Sequence, residues 1–148
     1  MSTLQVATTS FKVELLQAVH NFGPSSPDTF KVALYTPAAS LGTGTTAYST
    51  SDEVSGPGYS AGGKTLTINP FPAAANNSQG EPTAFLSFQD AVWPNSTFTA
   101  RWALVYNSSK SNRSVAVLDF GSDKTVSNDT FQIIFPTPDA NSAIVRLS

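Results

Sequence analysis

From residue 29 to the end of the chain, apolar side chains alternate with more polar ones in seven short segments. In the first, residues 29–36, Phe30, Val32 and Leu34 occupy every second position. The others cover residues 64–69, 83–88, 98–106, 114–120, 130–135 and 142–147. A period of two is typical of strands with one buried face, and no helical pattern separates the segments. The sequence therefore predicts a mainly β fold, an antiparallel β-sandwich or jelly-roll-like domain.

A single helix is predicted ahead of these strands, over residues 10–22. Its apolar side chains follow helical spacing: Phe11, Leu15, Val19 and Phe22. Ser10 is the expected N-cap, and Gly23 followed by Pro24 is expected to end the helix. The preceding residues 1–9 are predicted to form a flexible polar arm, and residues 10–148 a single domain, which suits a chain of 148 residues.

The connections between the strands are rich in turn residues. Residues 107–113 are predicted to form a hairpin connection between two of the strongest strands. Residues 37–63, which contain six of the nine glycines, and residues 70–82 are predicted to form long loops. Long connections in a compact domain are usually functional or mobile.

Composition argues against several classes of function. Cysteine is absent, which rules out disulfides and thiolate metal sites. The eight Lys and Arg residues are scattered, so they cannot form the basic stripe that neutralises a phosphate backbone. No apolar run approaches the roughly 20 residues that span a bilayer, and no secretory signal is visible. The sequence therefore predicts neither a nucleic-acid partner nor a membrane.

Few residues offer catalytic or metal chemistry. His20 is the only histidine, and neither a cysteine nor a G-x-S-x-G motif supplies a nucleophile for it to activate. Asp119, Asp123 and Asp129 share one predicted turn region, but their spacing does not match a calcium loop. We therefore predict a protein that is not an enzyme, with no catalytic residue, cofactor or metal site.

The two tryptophans are candidates for contact with a partner. Trp93 precedes Pro94 at a predicted strand end, which makes it the better candidate for an exposed ring. Exposed aromatic rings hold sugars in carbohydrate-binding sandwiches, so a carbohydrate-recognising module that attaches to a host surface is one alternative function. Trp102 lies within an alternating strand, where a core position or a subunit contact is the commoner role.

Five segments in a fixed order carry a resemblance to known proteins. They are residues 11–22 (FKVELLQAVHNF), 29–48 (TFKVALYTPAASLGTGTTAY), 53–67 (EVSGPGYSAGGKTLT), 100–125 (ARWALVYNSSKSNRSVAVLDFGSDKT) and 131–136 (FQIIFP). In this order they resemble a family of small virion structural proteins of tailed bacteriophages, several of which infect cyanobacteria and other aquatic bacteria. The resemblance implies a component of the phage particle, made in the cytoplasm of the bacterial host, and it transfers no catalytic or ligand-binding residue.

Within such a particle, the expected role is that of a capsid decoration (cement) protein, which binds the outer surface of the shell and stabilises it. The expected partners are the major capsid protein and copies of the chain itself, as a homotrimer, because threefold positions on a capsid select that symmetry. The candidate partner-binding residues are Leu4, Val6, Trp93 and Trp102, the first two as anchors of an arm that adds a strand to a neighbouring sheet. A tail, neck or fibre component is the other alternative.

Overall fold

Two antiparallel sheets and one short helix make up the regular structure of the chain. The structure is a computed structural model that describes the backbone of residues 4–148 and the side chains from Val6 onward. The elements are β1 (Leu4–Ala7), α1 (Thr9–Leu16), β2 (Phe30–Tyr35), β3 (Lys64–Thr65), β4 (Ala73–Asn76), β5 (Pro82–Leu86), β6 (Ala91–Asn107), β7 (Arg113–Ile133) and β8 (Val145–Leu147). The larger sheet has the strand order β1-β7-β6-β2-β3, and the smaller has the order β4-β5-β8. The predicted mainly β, sandwich-like domain with one N-terminal helix is confirmed.

A long hairpin of β6 and β7 forms the centre of the larger sheet. The two strands pair from Asn107↔Arg113, beside the predicted turn, to Ala91↔Ile133 at the far end. The predicted strand 114–120 and residues 130–133 of the predicted strand 130–135 are therefore parts of one strand of 21 residues. The polar residues between them resemble a turn in sequence, but most of their side chains are exposed and Val126 faces the core.

The main core lies between the sheets and contains residues from both. Phe30 and Val105 of the larger sheet and Leu86 and Val145 of the smaller sheet belong to one buried cluster. The central strands are buried on their second face as well, because the long connection of residues 37–63 packs over it. Double burial explains why β2 is almost continuously apolar instead of strictly alternating.

The helix is shorter than predicted and begins one residue earlier. It covers Thr9–Leu16 instead of residues 10–22, and its N-cap is Thr8, whose hydroxyl accepts a hydrogen bond from the Phe11 amide. The chain leaves the helix through Ala18, which has a φ of 59°. That turn buries Phe22, which stacks on Phe30 at 4.3 Å. Packing of distant aromatic rings thus ends the helix before the apolar spacing does.

The described part of the predicted arm is a strand of the chain's own sheet. The backbone of β1 pairs with β7 from Leu4↔Asp119 to Ala7↔Ala116. The expected flexibility therefore does not apply from Leu4 onward, and residues 1–3 lie outside the described part of the chain. The segment is ordered because the edge of β7 supplies hydrogen-bond partners for its backbone.

Smaller differences concern the outer strands. Only Lys64–Thr65 of the predicted segment 64–69 is a strand, although Ile68 forms an isolated bridge with Phe88. Strand β8 is similarly shorter than the predicted segment 142–147. The predicted loop of residues 70–82 contains β4, whose four side chains are all exposed. An alanine-rich edge strand with no buried face gives no alternating pattern to read.

Candidate functional site

Trp93 is buried in the main core, and the prediction of an exposed ring is wrong. Its exposed fraction is 1%. The ring lies 6.2 Å from the ring of Tyr59 and 5.9 Å from that of Phe131, and the Lys64 ammonium lies 5.8 Å from its centroid. Strand β6 already begins at Ala91, so Trp93 occupies an inward-facing strand position instead of a strand end.

The other predicted contact residues lie near one another in the larger sheet, with Val6 and Trp102 on its outer face. Trp102 is half-buried and pairs across the strands with Tyr35 on one side and Asp119 on the other. The backbone of Leu4 also pairs with Asp119, whereas its side chain lies outside the described part. Val6 is half-buried on the same strand. The structure therefore brings Leu4, Val6 and Trp102 to one region, and it places Trp93 on the opposite side of the sheet.

His20 is buried beyond the end of α1, in a network of polar side chains. Its Nε2 lies 2.8 Å from Glu14 Oε2, and Glu14 Oε1 accepts a hydrogen bond of 2.7 Å from Arg113. Asn107 Nδ2 lies 2.9 Å from His20 Nδ1 and donates to Asp28. Because the amide nitrogen can only donate, Nδ1 accepts and Nε2 carries the proton. Both ring nitrogens are thus used within the chain, and the network ties the helix to the β6–β7 turn.

The hydroxyls of the four tyrosines all form hydrogen bonds with the 37–63 connection, two of them with the side chain of Glu53. Tyr48 and Tyr59 each donate a hydrogen bond of 2.7 Å to its carboxylate, and the Gly62 amide donates a third. Two further hydroxyl contacts go to backbone carbonyls: Tyr35 to Ser49 and Tyr106 to Gly62, each at 2.7 Å. The hydroxyls are therefore used to fasten the connection to the sheet.

This cluster gives a prediction for alkaline solution. Burial, and then the nearby Glu53 carboxylate, raise the pKa of Tyr35 and of Tyr106 to about 12, and the pKa of Tyr48 and of Tyr59 is raised further. The tyrosine hydroxyls of the unfolded chain ionise near pH 10, so the unfolded chain loses protons at a lower pH than the folded chain does. The free energy of unfolding should therefore fall as the pH rises from about 10 through about 12.

Tyrosinate absorbance measures this effect. We expect no tyrosine of the folded protein to titrate near pH 10, whereas the chain in denaturant should titrate there in full. Circular dichroism monitors the fold during the titration. If some tyrosines titrate near pH 10 while the fold is intact, the arrangement around Glu53 is contradicted.

Two of the three acidic residues of β7, Asp119 and Asp123, form ion pairs with an arginine. Asp119 Oδ1 accepts hydrogen bonds from the Gly121 amide at 2.8 Å and from Arg101 Nε at 2.9 Å, and these two contacts lower the pKa of Asp119. Arg101 also lies 3.7 Å from Asp123. Among residues 4–148, no group of three or more His, Asp or Glu side chains is placed to hold a metal ion.

The first candidate interaction surface is a groove between α1 and β8, called here the α1–β8 groove. It has a volume of about 670 Å³. Two large apolar side chains of its lining are exposed: Leu16 is 92% exposed and Leu147 57%. The charged residues that line it, Lys12 and Arg146, are both basic. Exposed apolar side chains grouped around a groove are typical of a protein contact site.

Sequence reasoning missed this surface, although one signal was present. Leu16 directly follows Leu15 of the predicted apolar stripe, so it lies off the stripe on the helix. A leucine outside the buried face of an amphipathic helix indicates exposure. Its proximity to Leu147, 131 positions away in sequence, is visible only in the fold.

The second candidate surface is the outer edge of β7 beyond its pairing with β1, called here the open edge and comprising residues 120–133. In the described part of the chain, β1 pairs with β7 only as far as Asp119, and the other neighbour of β7 is β6. A cavity of about 570 Å³ opens beside this edge. Its apolar lining comes from β7 and the residues that follow: Leu118, Phe120, Val126, Phe131, Ile133, Ile134, Phe135 and Pro136.

Both surfaces present apolar side chains of the kind that contact other macromolecules. In the described part of the chain, no helix is long and apolar enough to cross a membrane. Comparison of the chain with protein-family models, with curated proteins and with solved structures finds no match.

Proposed function

We propose that this chain is a non-enzymatic structural protein of a tailed-bacteriophage particle, where it decorates the outer surface of the capsid. Its partners there are the major capsid protein and copies of itself. The ordered resemblance over residues 11–136 suggests the particle. The observation that carries the proposal is the α1–β8 groove, where Leu16 stands 92% exposed beside other apolar side chains.

The groove supplies the kind of contact that a decoration protein needs. Full burial of a leucine side chain contributes about 1.5–3 kcal/mol, so covering Leu16 and Leu147 favours docking appreciably. The lining residues Lys12 and Arg146 favour a shell surface that is apolar and acidic. Each such contact is modest, but many copies bound together on a symmetric lattice gain by multivalency. A homotrimer at a threefold position remains part of the proposal.

Copy number in the particle tests the proposal. Purified particles of the phage that encodes the chain should contain it at a ratio to the major capsid protein of one to one, or one to a few, by gel densitometry. A ratio that corresponds to only a few copies of the chain in each particle would identify a tail, neck or fibre component instead. Absence from the particles would refute the assignment to the virion.

A pair of matched variants tests the groove. Leu16→Ser should weaken binding of the purified protein to particles that lack it by about ten-fold or more, because the contribution of about 1.5–3 kcal/mol from one buried leucine is lost. Val92→Ser, which alters a 37% exposed side chain elsewhere, is the control and should bind normally. Sedimentation with the particles measures both. Equal binding by the two variants would exclude the groove as the docking surface.

A further inference from the structure

We infer that the open edge of β7 binds the open edge of a second copy of this chain, strand against strand, across a two-fold axis. The inference does not rest on the proposed function, because it concerns the purified chain alone. A capsid lattice nevertheless has two-fold axes as well as threefold ones, so a decoration protein could use both contacts.

In the part of the chain that the structure describes, no strand pairs with the open edge, although the Gly121 and Thr130 amides donate to the side chains of Asp119 and Asp129. An apolar lining lies beside the edge. Unpaired strand edges are templates for pairing with another chain. Here the edge extends over residues 120–133, and the cavity beside it is lined by inward-facing Val126 and by Ile134, whose side chain is 73% exposed. A strand that pairs with the backbone of this edge would at the same time cover the apolar lining.

A β-bulge decides which side chains of the edge point inward. Val126 pairs with Phe98 of β6, but Asp129 pairs with Ser96, so β7 has one extra residue in this interval. Asn128, with a φ of 53°, lies within it. Before the bulge the even-numbered residues face inward, and after it the odd-numbered ones do. Antiparallel pairing of β7 with itself therefore matches inward with inward only when an even position faces an odd one.

The charges select one register among those that satisfy this rule. Lys124 and Asp129 are the charged residues of the cavity lining, and both lie on the inward face, paired with Ala100 and Ser96 of β6. In the register that aligns the open edge with itself end to end, Lys124 faces Asp129 of the second copy. The two-fold axis repeats the pair. Face and charge therefore both favour this register.

A second copy suits this edge better than an unrelated partner. Bulges and charges on an edge commonly discourage pairing. Here, however, the two inward charges have opposite signs, at positions that neutralise each other only under two-fold symmetry. An unrelated strand would have to supply both charges at the same spacing. The bulges near Asn128 flank the axis, and residues 120–123 form a second irregular stretch, because Trp102 pairs with Asp119 but Ala100 pairs with Lys124. The ladder would therefore consist of two short flanks, residues 124–125 against 128–129 of the other copy.

Charge reversal tests the contact. In sedimentation equilibrium the mass of the wild-type protein should rise with concentration from 15.6 kDa towards twice that value. Lys124→Asp and Asp129→Lys should each weaken dimerisation about ten-fold or more, because each sets like charges opposite each other twice. The double variant Lys124→Asp/Asp129→Lys exchanges the charges and should restore the dimer to within a few-fold of the wild type.

Several results would overturn the inference. They are a wild-type mass of 15.6 kDa at every concentration, single variants that dimerise as the wild type does, and a trimer that none of the reversals affects. Thermal unfolding at a concentration where all variants are monomeric serves as the folding control, since Asp129 is exposed and Lys124 is only half-buried. Restoration by the double variant also shows that both substitutions are compatible with the fold.

Engineered cysteines test the register. The chain has no cysteine of its own, so Asp123→Cys/Thr130→Cys introduces only two positions, which the register brings together between copies at the end of each flank. Within one chain these positions lie roughly 20 Å apart and cannot form a bridge. Oxidation should give a covalent dimer. The control, Thr125→Cys/Thr130→Cys, shifts one position by two residues and should cross-link at least ten-fold more slowly; equal rates would refute this register.

Discussion

Replacing Trp93 with alanine is expected to lower the free energy of unfolding by about 3–5 kcal/mol. The indole is 1% exposed and packs between Tyr59 and Phe131, so its removal leaves a large cavity in the main core. Small domains are stable by only about 5–15 kcal/mol, so the loss is a large fraction of the total. Urea denaturation followed by circular dichroism measures it.

Trp102→Ala is the matched control for this prediction. Trp102 is half-buried on the outer face of the larger sheet, and its loss should cost about 1–2 kcal/mol. If Trp93→Ala were as stable as Trp102→Ala, the burial of Trp93 would be refuted. The stability of Trp93→Ala also matters for the carbohydrate hypothesis. If this variant is unfolded, its failure to bind a sugar says nothing about a sugar site.

Gly63→Ala is expected to lower the free energy of unfolding by about 3 kcal/mol or more. Gly63 has a φ of 73°, which strains any residue with a Cβ. An added Cβ would also lie 1.8 Å from the carbonyl oxygen of Val32, in the buried strand β2. Since backbone atoms cannot rotate away, either the 37–63 connection or the strand must move. Chemical denaturation of the variant measures the effect.

Gly44→Ala is the control in the same connection. No atom lies within 4 Å of the position that its Cβ would occupy. The variant should therefore be within about 0.5 kcal/mol of the wild type. A similar loss of stability in both variants would show that the connection tolerates no side chain for a reason other than the contact with Val32.

The strands with one buried face are the part of the fold that the sequence predicts best. Alternation located β2 within one residue at each end, and turn residues located the 107–113 hairpin. The middle of β7 was predicted as a turn, because residues 121–125 offer no large apolar side chain. Lys124 and Thr125 pair with Ala100 and Thr99 of β6, whereas residues 120–123 form an irregular stretch without partners in β6.

The candidate surfaces were harder to predict than the strands. Trp102 and Val6 lie at the outer face of the larger sheet, but Trp93, the favoured exposed ring, lies in the core. Lys124 and Asp129 have no local pattern that separates them from a solvated turn. The bulge that brings both to one face arises from the register between β6 and β7, which a single segment does not encode.

The sequence by itself determined the class of the fold: antiparallel strands with one helix near the N-terminus, without disulfides and with a weakly charged surface. Those properties follow from composition and from spacing within a few residues, where the backbone geometry of each element acts directly. Only the tertiary structure decided where α1 ends, that β7 continues beyond Gly121, and which apolar side chains remain exposed. Each of these depends on contacts between residues far apart in the chain. The ring of Phe22, for example, stacks on that of Phe30, which lies beside the ring of Phe88, and this packing outweighs the local preference for helix.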